Sequence, residues 1–342
     1  MKTMSDRSGD GFSRRRFLAK TSALGAASFL DLPRTAAAET PPEIQKIRLV
    51  KVPAICLAPE YLAEELLRLE GFTEIEYVEL DRNDAPAMLV ANRADFSACT
   101  PSEGLPALDA GKPLVLLAGI HGGCNELFAN ERIRALRDLK GKRVAVGLIG
   151  STEYYFIAAM MAYVGMDPRK DIDWVFGETF DGTMRLFIDG KADAFLGFPP
   201  QPQELRARKI GRVILDTGQD RPWADYYCCM IAARPDFVRS YPVATKRAVR
   251  AILKAADICA NEPERAAQYI VAGGFDSRYD LALQVVKSLS YARWRTHNPE
   301  DTLRFFGLRL YEAGMIKANP NKLIAQGTDW RFLNELKKEL KA

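Results

Sequence analysis

The chain has 342 residues, enough for about two domains that each bury a core of their own. Its hydrophobic fraction of 48% is ordinary for a soluble protein, and its formal net charge is +4. Residues 1–38 hold seven Lys or Arg residues and three Asp or Glu residues, so the chain from residue 39 onward has a net charge of zero. This balance argues against a nucleic acid or an anionic membrane as the partner.

The N-terminus has the three parts of a secretory signal peptide. The basic stretch SRRRFL occupies residues 13–18, a mildly apolar run follows at 21–30, and three alanines at 36–38 form an A-x-A cleavage site. Adjacent arginines are typical of the twin-arginine export route. An apolar run of about ten residues is too short to cross a membrane core, which needs roughly twenty. We therefore expect cleavage after Ala38 and a periplasmic mature protein.

An internal repeat with an offset of 98 residues organises the rest of the chain, and residues 80–102 align without a gap on residues 178–200. In both copies a helix ends at a turn residue, Asn92 or Gly190, and a basic residue with an Ala-Asp pair precedes a short apolar strand. A period near 100 residues is much longer than the units of solenoids, so it predicts two copies of one α/β lobe. Two similar lobes in one chain predict a ligand cleft between them.

Apolar strands alternate with helical segments in both copies, which predicts mainly parallel sheets flanked by helices. The predicted strands cover residues 47–52, 75–80, 96–99 and 114–119 in lobe one, and 142–146, 172–176, 194–197 and 213–215 in lobe two. Extended apolar segments at 124–130 and 226–232 predict that the chain crosses to lobe two and back. From Pro235 onward only helices are predicted, and their simplest place is on lobe one.

These crossings set the predicted boundaries of the domains. The signal peptide is expected at 1–38, the first part of lobe one at 39–125, lobe two at 126–226, and the return to lobe one with the C-terminal helices at 227–342.

The mature chain has six cysteines and two histidines, but none of the spacings that are typical of zinc or redox sites. The cysteines are Cys56, Cys99, Cys124, Cys228, Cys229 and Cys259. A bridge between the neighbours Cys228 and Cys229 would be strained. The chain also lacks G-x-S-x-G, Walker A, H-E-x-x-H and G-x-G-x-x-G motifs. We therefore expect buried thiols, no metal, no cofactor and no enzyme activity.

Ligands of open parallel sheets bind beyond the carboxyl ends of the strands, so the loops there supply the candidate site. Ser151 and Thr152 open a helix, where they suit a carboxylate, sulfonate or nitrate, although hydroxyls at this position equally serve as caps. Thr100 and Ser102 occupy a strand end in lobe one, and they suit a plain turn as well as a ligand.

Further candidates would recognise an organic ligand. His121 has a hydrogen-bonding ring, and Phe198, Trp223 and Tyr226 would form either an aromatic wall or core. Glu178, like Glu103, would repel an anion and suit an amine. The sequence therefore leaves the charge of the ligand open.

Three stretches carry a family resemblance: DLKGKRVAVG at 138–147, the helix opening at Ser151 and Thr152, and DGKADAF at 189–195. They resemble the nitrate, taurine and alkanesulfonate group of periplasmic substrate-binding proteins of ABC importers. The resemblance implies a type II periplasmic-binding-protein fold, whose two α/β lobes close on a small molecule and deliver it to a membrane permease and its ATPase. By position it implies that the loop at 53–58, including Cys56, contacts the ligand with Thr100, Ser102, Ser151 and Thr152.

The leading hypothesis is thus a monomeric solute-binding protein. An exported enzyme of the same fold, acting on a small heterocyclic or aromatic substrate, is the alternative, because the pyrimidine-precursor synthase of thiamine biosynthesis shares the fold. The cysteine-rich iron motif of that synthase is absent from this chain. A ligand sensor that signals to a membrane receptor is a third hypothesis, which sequence does not separate from a transport component.

Overall fold

A computed structural model describes residues 39–80 and 84–341 of the chain. The predicted signal peptide at residues 1–38 lies outside this range, and so does its cleavage site. Among the described residues, no helix combines the length and the apolar character that crossing a membrane requires.

Lobe one is built on a five-stranded sheet. Its strands are β1 (Lys46–Lys51), β2 (Glu74–Glu79), β3 (Phe96–Cys99), β4 (Val115–Gly122) and, from much later in the chain, β10 (Tyr227–Ala233). Their order is β2-β1-β3-β10-β4. β1 pairs in parallel with β2 and β3, whereas β10 pairs antiparallel with β3 and β4. β3, β4 and β10 are buried along their whole length, as near-continuous apolar sequences predict.

Lobe two repeats this topology. Its strands are β5 (Glu126–Ala129), β6 (Lys142–Val146), β7 (Ile172–Phe176), β8 (Ala194–Gly197) and β9 (Arg212–Asp216), in the order β7-β6-β8-β5-β9. β6 takes the place of β1, and β5 takes the place of β10. In each sheet the antiparallel strand is the one that follows a crossing, because the chain enters it from the other lobe. The predicted fold class, two α/β lobes, is confirmed.

Helices cover both sheets. Those of lobe one are α1 (Ala58–Leu69), α2 (Ala85–Val90) and α3 (Pro101–Asp109), and those of lobe two are α4 (Thr152–Tyr163), α5 (Pro168–Asp171), α6 (Phe180–Ile188) and α7 (Gln201–Ala207). After β10 come α8 (Pro235–Ser240), α9 (Pro242–Asn261), α10 (Pro263–Ala272), α11 (Tyr279–Ser288), α12 (Pro299–Glu312), α13 (Pro320–Gly327) and α14 (Arg331–Glu339). No strand follows β10 in the described part of the chain, as the sequence predicts.

The C-terminal helices pack mainly on lobe one, but α12 contacts both lobes. α9 packs along α1, and α12 packs against α3 of lobe one and α4 of lobe two. On the lobe-two side, the rings of Phe156 and Phe306 meet edge to face with their centroids 5.1 Å apart. Burying these rings stabilises the contact between α12 and lobe two.

The two crossings between the lobes lie side by side. The backbone N–H of Asn125 donates to the Thr217 hydroxyl at 2.9 Å, and the N–H of Thr217 donates to the Asn125 carbonyl, also at 2.9 Å. Next to them, a Cβ atom at Gly123 would lie 1.9 Å from the carbonyl oxygen of Thr217. Only glycine permits this close approach of the two backbones.

Candidate functional site

Two of the spaces between the lobes lie next to each other. The outer groove has a volume of about 820 Å³ and the inner cavity about 80 Å³. Both are bordered by Ala54 of lobe one and by Phe180 and Phe198 of lobe two. The rings of Phe180 and Phe198 pack edge to face with centroids 4.7 Å apart. These two aromatic side chains therefore form the wall between the outer groove and the inner cavity.

Polar contacts join the lobes on either side of this wall. At the inner cavity, the hydroxyl of Thr152 donates a hydrogen bond to the carboxyl of Glu103. At the outer groove, Glu204 on α7 and Arg278 just before α11 form an ion pair with an N–O distance of 2.5 Å. The structure thus shows the lobes in contact across the cleft.

The N-terminus of α4 holds carboxyls of the protein itself. Ser151 caps the helix, because its hydroxyl accepts a hydrogen bond from the N–H of Tyr154 at 3.4 Å. Glu153 in the first turn is buried and lines the inner cavity. Burial raises the pKa of Glu153, although hydrogen bonds from its own N–H and from Ser151 oppose the rise. Glu153 thus sits where the dipole of α4 would otherwise favour a bound anion.

The inner cavity carries acidic and apolar groups and no cationic side chain among the described residues that line it. Burial raises the pKa of Glu103 to about 7, although hydrogen bonds from the Thr152 hydroxyl and the Thr100 backbone lower it. An anion would meet two carboxyls and no compensating Lys or Arg. The lining therefore suits a neutral ligand or a protonated amine better than a nitrate or sulfonate.

The hydroxyls of Thr100 and Ser102 form hydrogen bonds mainly at the start of α3. The Thr100 hydroxyl accepts from the N–H of Glu103, and the Glu103 carboxyl accepts from the N–H of Thr100, each at 3.3 Å. This capping box orients the carboxyl that contacts Thr152. The Ser102 hydroxyl is fully buried, 3.0 Å from that of Thr100. Thr100 lines the cavity, whereas Ser102 lies behind it.

Six of the predicted residues border neither space, namely Ser102, His121, Ser151, Glu178, Trp223 and Tyr226. The Trp223 ring meets Phe305 edge to face at 5.0 Å between centroids, and the Tyr226 ring stacks on Phe305 at 4.3 Å. They lie there because the chain packs on α12 as it leaves lobe two. Glu178 occupies a left-handed turn with φ of 62°, and its N–H donates to the carbonyl of Gly147 at 3.0 Å.

The sequence did not predict that a cluster of thiols and one imidazole forms behind the cavity. Cys56, Cys124, Cys228 and Cys229 line the inner cavity and are buried. The Sγ atoms of Cys124 and Cys228 are 2.9 Å apart, and His121, fully buried, completes the cluster. A hydrogen bond with Cys124 lowers the pKa of Cys56 to about 6, and the nearby imidazole acts in the same direction. The position of cysteines at strand ends was the one sequence signal for this cluster.

Comparison with known proteins places the chain in a family. The profile of the NMT1/THI5-like family matches residues 70–266, more than half of the chain. The chain belongs to the NMT1/THI5-like family. This agrees with the resemblance seen in its sequence. No curated protein sequence matches the chain.

Solved structures extend the likeness to most of the NMT1/THI5-like chain. The periplasmic nitrate-binding protein NrtA from Synechocystis PCC 6803 has a TM-score of 0.73 at 17% identity, over 88% of this chain and 90% of NrtA. The alkanesulfonate-binding protein SsuA from Xanthomonas axonopodis pv. citri, bound to MOPS, has a TM-score of 0.69 at 15% identity, over 84% of this chain and 99% of SsuA. A mutant of DSZB in complex with biphenyl-2-sulfinic acid has a TM-score of 0.59 at 16% identity, over 86% of this chain and 100% of DSZB. At these identities the likeness establishes the fold.

Proposed function

We propose that this protein is the periplasmic solute-binding component of an ABC importer, and that it captures a small neutral or positively charged organic molecule between its lobes. The observation that carries the proposal is the inner cavity between the lobes, where Glu103 contacts Thr152, while Glu204 and Arg278 join the lobes at the outer groove. A cleft that closes on its ligand presents a different surface to a permease than an open one does. The binding roles named for NrtA and SsuA support the same function.

The chemistry of the inner cavity supports the choice of ligand. A volume of about 80 Å³ is smaller than the cavity of about 150 Å³ that holds benzene in an engineered protein. The carboxyls of Glu103 and Glu153 would accept hydrogen bonds from an amine or amide, and Phe198 would cover an apolar part. A ligand of a few heavy atoms fits the inner cavity, and a larger one would extend past Phe198 into the outer groove.

Native mass spectrometry tests the proposal on the mature chain, residues 39–342, purified without refolding. We expect an additional mass that leaves on denaturation and identifies a neutral or cationic ligand. Phe198→Ala should weaken binding of that ligand about tenfold or more, because it removes the shared wall. Tyr226→Ala is the matched control, since Tyr226 borders neither space. A bound nitrate or sulfonate would contradict the proposed ligand class, and equal losses in both variants would contradict the proposed site.

An exported enzyme of the same fold is the second candidate. The thiol cluster and the Glu103 carboxyl with a pKa of about 7 favour it, because both would be able to exchange protons near neutral pH. Its substrate would be a small heterocyclic or aromatic compound. Incubation of the identified ligand with the protein distinguishes the two: a binding protein returns the ligand unchanged, whereas an enzyme converts it.

We also propose export by the twin-arginine route, cleavage after Ala38 and a monomeric mature protein. N-terminal sequencing of the periplasmic form should begin at Glu39, and light scattering should give the mass of one chain. A sensor would share the same cleft, so co-purification with the permease and its ATPase is the measurement that assigns the partner.

A further inference from the structure

The thiol cluster behind the inner cavity brings together residues that are far apart in the sequence. Cys56 lies in the 3-10 turn Ile55–Leu57 after β1, His121 near the end of β4, and Cys124 in the first crossing. One ligand atom of each of the three lies within 4.8 Å of the other two. All three residues are buried, and Cys56 and Cys124 also line the cavity.

The imidazole of His121 has the tautomer and the free lone pair that a metal ligand needs. Its Nδ1 atom lies 2.7 Å from the carbonyl oxygen of Gly122, which accepts only, so Nδ1 carries the proton. Its Nε2 atom therefore keeps a lone pair, and this atom is buried without a hydrogen-bond partner. Metal-bound histidines commonly show this arrangement, in which a backbone carbonyl fixes the tautomer of the ring.

A second group nearby also lacks a partner. Glu60 lies one helical turn after Cys56 at the start of α1, and its side chain is 1% exposed. Both of its carboxyl oxygens are buried without a hydrogen-bond partner. Burial raises the pKa of Glu60 to about 8, so the carboxyl keeps its proton near neutral pH, and a cation bound nearby would instead stabilise its ionised form.

We propose that Cys56, His121 and Cys124 bind a soft transition-metal ion such as Zn²⁺, with a fourth position on the side of the inner cavity. Thiolate and imidazole are the ligands that zinc prefers, with Zn–S bonds of about 2.3 Å and Zn–N bonds of about 2.0–2.1 Å. Two thiolates neutralise the ion, and their two protons leave to solvent on binding. The site does not depend on a transport role, because an enzyme would hold the same ion.

A competing arrangement is a disulfide between Cys124 and Cys228. Their sulfur atoms are 2.9 Å apart, which is longer than a disulfide bond of about 2.05 Å. The Nδ2 group of Asn125 donates a hydrogen bond to the sulfur of Cys228 at 3.4 Å. Cys228 is therefore a hydrogen-bond acceptor next to Cys124, one of the proposed metal ligands. A disulfide would consume Cys124 and leave too few ligands for the ion.

The test is a Zn²⁺ titration of the mature chain after treatment with a chelator and a reductant, followed by a competing chromophoric chelator. We expect one Zn²⁺ per chain, and Cys56→Ser or His121→Gln should each weaken binding at least 100-fold. Cys259→Ser is the matched control, because Cys259 is equally buried but lies on α9 away from the cluster. It should leave the affinity unchanged.

A measurement without variants keeps the proposal testable if the substitutions prevent folding. X-ray absorption of the Zn²⁺-loaded chain should show two sulfur ligands and one imidazole, and Co²⁺ in place of Zn²⁺ should give an intense thiolate charge-transfer band. Absence of a stoichiometric ion would overturn the proposal. An intact mass that lacks two hydrogens, with the Cys124–Cys228 bridge found in the isolated protein, would also overturn it.

Discussion

The hydroxyl of Thr152 in lobe two donates a hydrogen bond to the carboxyl of Glu103 in lobe one. Both residues lie in the first turn of a helix, so the carboxyl faces the positive ends of α3 and α4 together. Both residues line the inner cavity, so this contact joins the two lobes at the cavity. The hydrogen bond therefore links the protonation state of the Glu103 carboxyl to the closure of the lobes.

Thr152→Val should loosen this closure. Valine has the shape of threonine but donates no hydrogen bond, so the substitution removes the contact with little change in packing. We expect a larger radius of gyration for the ligand-free chain in X-ray scattering. Ligand affinity should fall about 5- to 10-fold, in keeping with one lost hydrogen bond of about 1 kcal/mol.

Thr245→Val provides a control for this substitution. The Thr245 hydroxyl donates to the carbonyl of Tyr241 at 2.8 Å at the start of α9, so this hydrogen bond stays within the C-terminal helices. The control should keep the radius of gyration and the ligand affinity. If Thr152→Val left the radius unchanged, the hydrogen bond to Glu103 would not control closure.

Glu103→Gln should change how stability depends on pH. The pKa of Glu103 rises from the ordinary value of 4.5 in the unfolded chain to about 7 in the folded protein, mainly through burial. Between these values the folded state holds more protons than the unfolded state, so the free energy of unfolding falls as pH rises. The loss contributed by Glu103 is complete above pH 7 and amounts to at most about 3 kcal/mol.

Urea unfolding at pH 5 and pH 8 measures this effect. Glutamine keeps the shape of the side chain without titrating, so the variant should lose less stability than the natural chain between the two pH values. The other buried carboxyls remain in both proteins, and the comparison therefore isolates Glu103. Equal losses in the two proteins would show that burial does not raise this pKa.

The architecture could be predicted from the sequence because the repeat aligns residues that make the same contacts in each lobe. Asp95 and Asp193 are 98 positions apart, and each accepts a hydrogen bond from the backbone N–H of an arginine on a corresponding strand, Arg48 on β1 at 2.9 Å and Arg143 on β6 at 3.0 Å. Local signals of turn, strand and charge specify these contacts in each copy. Alternating strands and helices then specify the sheets.

The site could be predicted only in part, because its residues meet through tertiary packing. Cys124 and Cys228 are 104 positions apart and become neighbours only where the two crossings run side by side. Trp223 and Tyr226 are aromatic residues near a crossing, but packing on α12 decides where their rings point. No local pattern in the sequence distinguishes a ring that faces the cleft from one that faces a helix.

Arg48→Lys should destabilise the protein more than Arg143→Lys. In both lobes the guanidinium contacts both carboxylate oxygens of the aspartate, a geometry that lysine lacks. Asp95 is 4% exposed and its second cationic partner, Arg234, is 3.6 Å away, so weakening the pairing with Arg48 should cost about 1–2 kcal/mol. The Arg143 pair is more exposed, and water replaces its contacts more readily. Urea unfolding of both variants gives the order, and a larger loss for Arg143→Lys would contradict it.

Gly123→Ala should damage the crossing between the lobes. A Cβ atom there would lie 1.9 Å from the carbonyl oxygen of Thr217, and backbone atoms have little room to move away. We expect a loss of about 3 kcal/mol or more in the free energy of unfolding, because the clash separates the paired backbones of Asn125 and Thr217. Gly147→Ala is the matched control, since the atom nearest to its Cβ would be the Cβ of Ser151 at 3.8 Å, and it should cost less than about 1 kcal/mol. Similar losses of stability in the two variants would show that the close contact between the backbones of Gly123 and Thr217 does not keep the two crossings together.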